Sequence, residues 1–466
     1  MGKLFFCRED ARCGDVIPKY IDGKYQLFYL KGWRDPKAPG VKFGWHRMES
    51  MDLINMSEDV PTGVRGGTGD LIRAKDGTWH LFACIFPQGK QFITHYISKD
   101  GTLDNWEYQE QDTFGPDGVF YHPSDWRDPR IVYDEEKDEY RMYMAARMME
   151  NHAQGGCVGL CVSKDLSNWE YREPAYAPMR FSGACECPDY FTIGEYEYIV
   201  FSSYTTLFGN YYVMRRIGTD VWEIPVNHRL DARAFYAAKT AGDRKRRFIF
   251  GWNPTKNRDI FRFWTERWQL QDYRTWDWGG DMVVHEIFQQ EGGSLGVGLA
   301  RERRDFFKET LLDGASFAHE KEGTQGLSWV AEAPETAYYS MEITCVEEDG
   351  RMLTHQAGFM LRGKKETGEG YFLFIEPGRR RLIFRSWLRM SEDGGKTFPY
   401  DVELETPIRG TADGKYRLEI ITEGEIGAAY VNDEAALSFR MCDLKEKNTA
   451  VFAFGKARLD KITLKS

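Results

Sequence analysis

Ser98-Lys99-Asp100-Gly101-Thr102-Leu103-Asp104-Asn105-Trp106-Glu107 returns downstream as Ser163-Lys164-Asp165-Leu166-Ser167-Asn168-Trp169-Glu170, and a worn copy stands earlier at Glu49-Ser50-Met51-Asp52-Leu53. A Ser-x-Asp turn that returns along one chain marks a repeated supersecondary unit. Strand-like runs of aromatic and β-branched residues recur at 25–29, 79–83, 140–144, 196–201 and 247–252. Most follow a turn signal such as Asp22-Gly23-Lys24, Asp76-Gly77-Thr78 or Ile193-Gly194-Glu195, so each reads as a hairpin. Units of roughly 50–60 residues, each worth about four short strands, predict blades of a β-propeller. Five of them end near residue 299. A β-sandwich with look-alike turns is the competing arrangement, and it gives no reason for the order of strand, turn and Ser-x-Asp to return.

The reading is therefore all-β: a five-bladed β-propeller over 1–299, a linker over 300–311 and a β-sandwich over 312–466. Arg301-Glu302-Arg303-Arg304-Asp305 is charge-dense and suits an exposed connector. Beyond it, alternating runs such as Tyr338–Thr344 and Gly370–Ile375, with Gly and Asp turns between them, form a sandwich pattern. Composition agrees, since aromatics at 15% and 46 glycines among 466 residues suit many short strands joined by tight turns.

Charge and cysteine usage narrow the function. Lys and Arg total 62 against 72 Asp and Glu, a net −10 that repels nucleic acid and anionic membrane, so a small neutral or weakly charged partner fits better. No apolar run approaches the roughly 18 residues of a membrane helix. Charge also appears early, at Lys3 and Arg8, which argues against a signal peptide and for a cytoplasmic protein. Nine cysteines, an odd count, fit reduced thiols rather than a disulfide framework. Cys157 with Cys161, and Cys185 with Cys187, lack zinc-site spacing, and the histidines form no i, i+4 pair. Neither a metal nor a cofactor is expected, and the oligomeric state is left open.

Propellers carry their sites on the axis, near the first strand of each blade, so the informative acids lie just upstream of the hairpins. Asp15, in Gly14-Asp15-Val16-Ile17-Pro18, opens unit one; Asp128, in Trp126-Arg127-Asp128-Pro129, opens unit three; Glu186, in Cys185-Glu186-Cys187-Pro188-Asp189, opens unit four. Equivalent places in successive blades converge on one funnel. Like charges held together raise one pKa, and glycoside hydrolysis needs that divergence: one carboxylate as nucleophile and one carboxylic acid kept protonated. Taken singly, each acid is ordinary turn or ion-pair chemistry.

Taken together, these motifs resemble glycoside hydrolase family 32, the invertase, levanase and inulinase group of β-fructosidases. Asp15 matches the family nucleophile, Trp126-Arg127-Asp128-Pro129 its R-D-P motif, and Glu186-Cys187-Pro188-Asp189 its E-C-P-D motif. Phe43-Gly44-Trp45-His46, Gly67-Thr68-Gly69-Asp70 and Asp231–Ala238 with Arg246–Trp252 resemble further segments in the family order, and Ala429-Tyr430-Val431-Asn432-Asp433 resembles its late sandwich strand. The resemblance implies a retaining enzyme that releases terminal β-fructofuranosyl units. Asp15 would attack, Glu186 would act as acid and base, and Asp128 with Arg127 would bind ring hydroxyls. Thr68 and the aromatic faces of Trp33 and Trp45 are the further substrate contacts expected, and Trp126 and Trp252 are candidates to stack on sugar.

The departures are specific. The family's first motif is W-x-N-D-P-N-G, whereas Cys13-Gly14-Asp15-Val16-Ile17-Pro18 keeps the Asp and loses both Asn residues. The Gln expected after the first hairpin strand is Leu30. Arg34, four residues on, is the charged candidate to hold hydroxyls or an anionic group on the substrate; pairing with Asp35 is its alternative role. These losses leave two rivals standing: a furanosidase of another specificity, such as an arabinofuranosidase, and a carbohydrate-binding protein without catalysis.

Overall fold

The computed structural model describes residues 3–6, 10–33, 44–150, 155–178, 183–204, 209–243, 245–256, 272, 276–387 and 403–466. Arg34 and the side chain of Trp33 lie outside the described residues. Among those residues the longest helix is one turn at Arg301–Arg304, and the architecture is built of strands.

The strands come in antiparallel meanders. The first is β1 (Ala11–Ile21), β2 (Lys24–Trp33), β3 (Gly44–Ser50) and β4 (Val60–Arg65); the second is β5 (Gly69–Arg73), β6 (Trp79–Ile85), β7 (Phe92–Ser98) and β8 (Trp106–Phe114). Next come β9 (Tyr121–Asp134), β10 (Glu139–Met148), β11 (Gly156–Ser163) and β12 (Glu170–Tyr176), and then β13 (Glu186–Ile193), β14 (Tyr196–Ser203) and β15 (Gly209–Arg216). The last strands, β16 (Tyr236–Gly242), β17 (Arg247–Pro254), β18 (Gly280–Gln289) and β19 (Leu295–Gly298), do not stand apart. Cys13 of β1 pairs with Gly280 of β18, giving one sheet in the order β16-β17-β18-β1-β2-β3-β4 with β19 on β18. First strands meet in turn: β5 lies against β9, β9 against β13, β13 against β16 and β16 against β1.

The sequence repeats now have physical roles. The recurring aromatic runs are the second strands β2, β6, β10, β14 and β17, near-continuously buried because both of their faces meet neighbouring sheets. Each Ser-x-Asp copy begins at the end of a third strand, at Ser50, Ser98 and Ser163. There the Asp staples the turn: Asp165 accepts from the backbone N–H of Ser167 at 3.0 Å and of Asn168 at 2.8 Å, and Asp52 accepts likewise from Ile54 and Asn55 at 3.0 and 2.8 Å. First strands carry a different device. Pairing slips between Cys13 and Val16, between Arg127 and Arg130, between Glu186 and Asp189, and between Tyr236 and Lys239, and the bulged residues Asp128, Cys187 and Ala237 sit at φ of 57°, 48° and 54°. Such bulges re-aim side chains out of the ladder, here toward the axis.

Residues from Thr310 onward form two six-stranded sheets packed face to face over one core that includes Tyr339, Phe359, Leu373, Phe384, Leu418 and Phe439. This is a β-sandwich. The charged stretch at 301–305, expected as an exposed connector, differs in one respect: Arg303 is 1% exposed, donating to the carbonyl of Val284 at 2.9 Å and to that of Leu4. Its guanidinium satisfies carbonyls that charge density alone does not reveal.

Sandwich and meanders are joined by buried polar groups. Arg440 pairs with Asp281 at 2.6 Å and donates to the side-chain oxygen of Asn253 and to the carbonyl of Pro254, both at 3.1 Å. Asp231 accepts from Ser438 Oγ at 2.6 Å and meets His285 Nε2 at 2.8 Å. Removing one member of a buried pair strands the other charge, at a cost of about 3–5 kcal/mol. Arg440→Met is therefore expected to lower unfolding free energy by about that amount, measured by urea titration; a loss within experimental error would show that Asp281 finds another partner.

Candidate active site

The bulged first strands open onto one cavity of about 830 Å³, whose lining includes Asp15, Thr68, Arg127, Asp128, Glu186 and Tyr236. Three carboxyl groups from three sheets, far apart in sequence, thus face the same space. Most of the remaining wall is apolar: Leu30, Phe86, Trp252, Trp276 and Trp278. That combination, an apolar shell with a few convergent polar groups, is the form of a small-molecule site.

Each carboxyl group is held differently. Asp15 accepts from Thr68 Oγ1 on one oxygen and from the indole N–H of Trp252 at 2.9 Å on the other. Burial pushes its pKa above the ordinary 3.8, and the Asp128 charge adds to the rise, while the two donors oppose it. Glu186 accepts from Arg127 Nη2 at 2.9 Å and from the Tyr236 hydroxyl. Burial and Asp128 push it above its usual 4.5, against the pull of Arg127 and Tyr236. Asp128 acts on both: it accepts from the backbone N–H of Cys187 at 3.0 Å, and Arg127 Nε stands 3.7 Å from it. The thiols of Cys84 and Cys187 flank its two oxygens at 3.9 and 3.8 Å, and burial holds both thiols protonated.

Arg127 is the hinge of the polar network. Besides Glu186 it pairs with Asp125, which Arg147 holds in turn at 2.6 Å. The guanidinium is thereby fixed in place, one edge on the Glu186 carboxylate. Such an array can do two-carboxylate chemistry: an oriented oxygen at Asp15, and a proton-carrying group at Glu186 pushed toward neutrality.

Of the residues named from the sequence, Asp15, Asp128, Glu186, Arg127 and Thr68 meet in this cavity. Trp45 does not stand in the wall. It is 1% exposed, packs on Phe28 and donates its indole N–H to the carbonyl of Gly67 at 3.0 Å, so it supports the loop that presents Thr68 rather than offering a face to sugar. Trp126 is likewise fully buried. Trp252 does line the cavity, as a hydrogen-bond donor to Asp15. Tyr236 lies within the stretch that resembles the family but carries no signal of its own there, and no motif in the sequence marks Trp278. Their roles depend on which strands become neighbours after ring closure.

No group of three or more His, Cys, Asp or Glu side chains among the described residues is arranged to hold a metal ion. No helix there is long and apolar enough to cross a membrane.

Comparison with known proteins places this geometry. The sequence profile of the glycosyl hydrolases family 32 N-terminal domain matches residues 17–273. It begins two residues after Asp15, where the first motif has diverged. The chain is 26% identical over 191 residues to the levanbiose-producing levanase of Bacillus subtilis (strain 168), a stretch covering 37% of this chain and 33% of that protein. It is 24% identical over 266 residues to a sucrose-6-phosphate hydrolase of Staphylococcus xylosus, covering 50% of each. The matches thus span about a third to a half of these relatives' length. In fold, the crystal structure of fructan 1-exohydrolase IIa from Cichorium intybus in complex with 1-kestose superposes over 100% of this chain and 97% of that one, with a TM-score of 0.75 at 14% identity.

Proposed function

Because the chain belongs to glycosyl hydrolase family 32, we propose that it is a retaining glycoside hydrolase that releases terminal β-fructofuranosyl units from di- or oligosaccharides. The observation that carries the reading is the shared cavity of Asp15 and Glu186, the first aimed by two donors, the second held against Arg127 and Tyr236. We also read the fold as five blades, taking the eight-stranded sheet as a first and a last blade joined at Cys13 and Gly280, with the sandwich beginning at Thr310, two residues inside the 300–311 stretch read as linker.

The chemistry follows from the positions. An Asp15 oxygen attacks the anomeric carbon and the glycosidic C–O bond breaks, the departing oxygen taking the proton from Glu186. The developing positive charge on the sugar ring faces Asp128, whose second role is to accept from ring hydroxyls. Water then enters, Glu186 takes its proton, and the hydroxide oxygen replaces Asp15 on the anomeric carbon. Arg127 keeps Glu186 in line through both steps and loses charge in neither.

Incubation with sucrose, sucrose 6-phosphate, 1-kestose, inulin, levan and an aryl arabinofuranoside tests this reading. Release of fructose, and transfer to methanol with retained configuration, is the expected result. Release of arabinose alone, or binding without turnover, would replace it with one of the rivals that the loss of the first motif's Asn residues raised.

Thr68→Val removes a donor that favours the ionised form of Asp15. The acid limb of kcat/KM should then move to higher pH and kcat should fall about 10- to 100-fold, the worth of a hydrogen bond to a charged group. An unchanged pH profile would show that Trp252 alone sets the ionisation of Asp15.

A further inference from the structure

Position 14, the residue before the nucleophile, has no room for a side chain. A Cβ built on Gly14 would lie 2.2 Å from Cη2 and 2.5 Å from Cζ2 of Trp278, and 3.0 Å from the carbonyl oxygen of Leu30. The backbone of Gly14 is in an ordinary region, so glycine is present here for space rather than for conformation. A Cβ on Gly32, across the hairpin, would also meet Trp278, at 3.0 Å.

Trp278 is set firmly in this position. Asp277 is paired with Arg12 of β1 at 2.6 Å, its N–H donates to the carbonyl of Thr255 at 2.7 Å, and its carboxylate accepts from the N–H of Trp278 at 2.9 Å. Gly279, at φ 69°, and Gly280, paired with Cys13, then return the chain into β18. The indole packs at 6.3 Å from that of Trp252, the donor to Asp15, and forms part of the cavity wall beside Leu30.

We propose that Trp278 is a specificity-determining residue: its indole takes the space of a side chain at position 14 and meets the C–H groups of the terminal furanosyl unit, where the resemblance expects an amide. This rests on the proposed function and deepens it. On the Asp15 side the unit is selected by shape and stacking against Trp278 and Leu30, while its hydroxyls are read on the opposite side by Asp128, Arg127 and Glu186. The substrate class is a terminal furanoside whose hydroxyl on the indole side can be absent or substituted without loss. Gly14 and Trp278 form one unit, in which a polar residue at 14 is compatible only with a smaller residue at 278.

The test is a kinetic cycle on the furanoside that the wild type cleaves fastest, with thermal melting of each variant as the folding control. Trp278→Ala should raise KM about tenfold, the scale of one aromatic contact, with kcat little changed, and Trp278→Phe should keep most of the affinity. Gly14→Asn should lose nearly all activity, and Gly14→Asn combined with Trp278→Ala should recover at least tenfold over Gly14→Asn alone. The inference is overturned if Trp278→Ala leaves KM unchanged, if Trp278→Phe is as impaired as Trp278→Ala in KM, or if the double variant is no better than Gly14→Asn. If the wild type cleaves no furanoside, the functional reading itself has failed; if it cleaves one and the variants ignore the cycle, only the role of Trp278 has.

Discussion

Asp15→Asn is expected to lower kcat by about four to six orders of magnitude, as loss of an attacking group does, with folding intact. The amide fits the two partners of the carboxylate, its oxygen toward the Trp252 indole and its NH₂ toward Thr68 Oγ1, which can accept. Stability should move the other way. Burial raises Asp15 above 3.8 and Glu186 above 4.5. A carboxyl group whose pKa is raised on folding contributes stability that is complete below its unfolded value and is lost as pH climbs through its folded value. At neutral pH the ionised site therefore opposes folding, and Asp15→Asn should melt at or above the wild-type temperature, the difference vanishing below about pH 4. Near-normal turnover would remove Asp15 from the nucleophile role, and a lower melting temperature at pH 7 would show that the hydrogen bonds from Thr68 and Trp252 outweigh the cost of burying the charge.

Glu186→Gln is expected to lose about 10²–10⁴-fold in kcat on a natural saccharide and far less on an aryl furanoside, whose leaving group needs little protonation. The alkaline limb of kcat/KM, which reports deprotonation of this group, should vanish in the variant. Both limbs of the wild-type profile should lie above the ordinary carboxylate range, because Asp15 must be ionised and Glu186 protonated and both are pushed upward. Equal losses on the two substrates would show that Glu186 orients the substrate without moving a proton.

What could be read from the chain depended on how local the cause was. Asp52, Asp100 and Asp165 staple turns within a few residues of themselves, so the repeat was visible as sequence, and with it the second strands and the positions of Asp15, Asp128 and Glu186. Trp45 departs from its expected place at the sugar because an aromatic near a motif looks the same in sequence whether it faces the cavity or the neighbouring sheet; its burial is decided by Phe28 and Gly67. Tyr236, fifty residues from Glu186, and Trp278, which overlies Gly14 from the far end of the catalytic region, act across contacts that no periodicity encodes. Arg303 belongs to the same class, its carbonyl partners lying at Leu4 and Val284.

The pairing of Cys13 with Gly280 sets a timetable as well as a shape. Asp15 is synthesised well before its indole donor Trp252, which follows 237 positions later, a wait of roughly 10–50 s at ordinary elongation rates. Until β18 follows, β1 has its hairpin partner β2 but a vacant edge, exposed to any strand that passes. The long loop that closes last is costly in entropy, so regain of activity on refolding should trail regain of β-structure. A chaperone that shields the first hairpin during synthesis would act at the most vulnerable moment, and circular permutation that opens the chain within the β1–β2 turn would let β1 be made after its β18 partner.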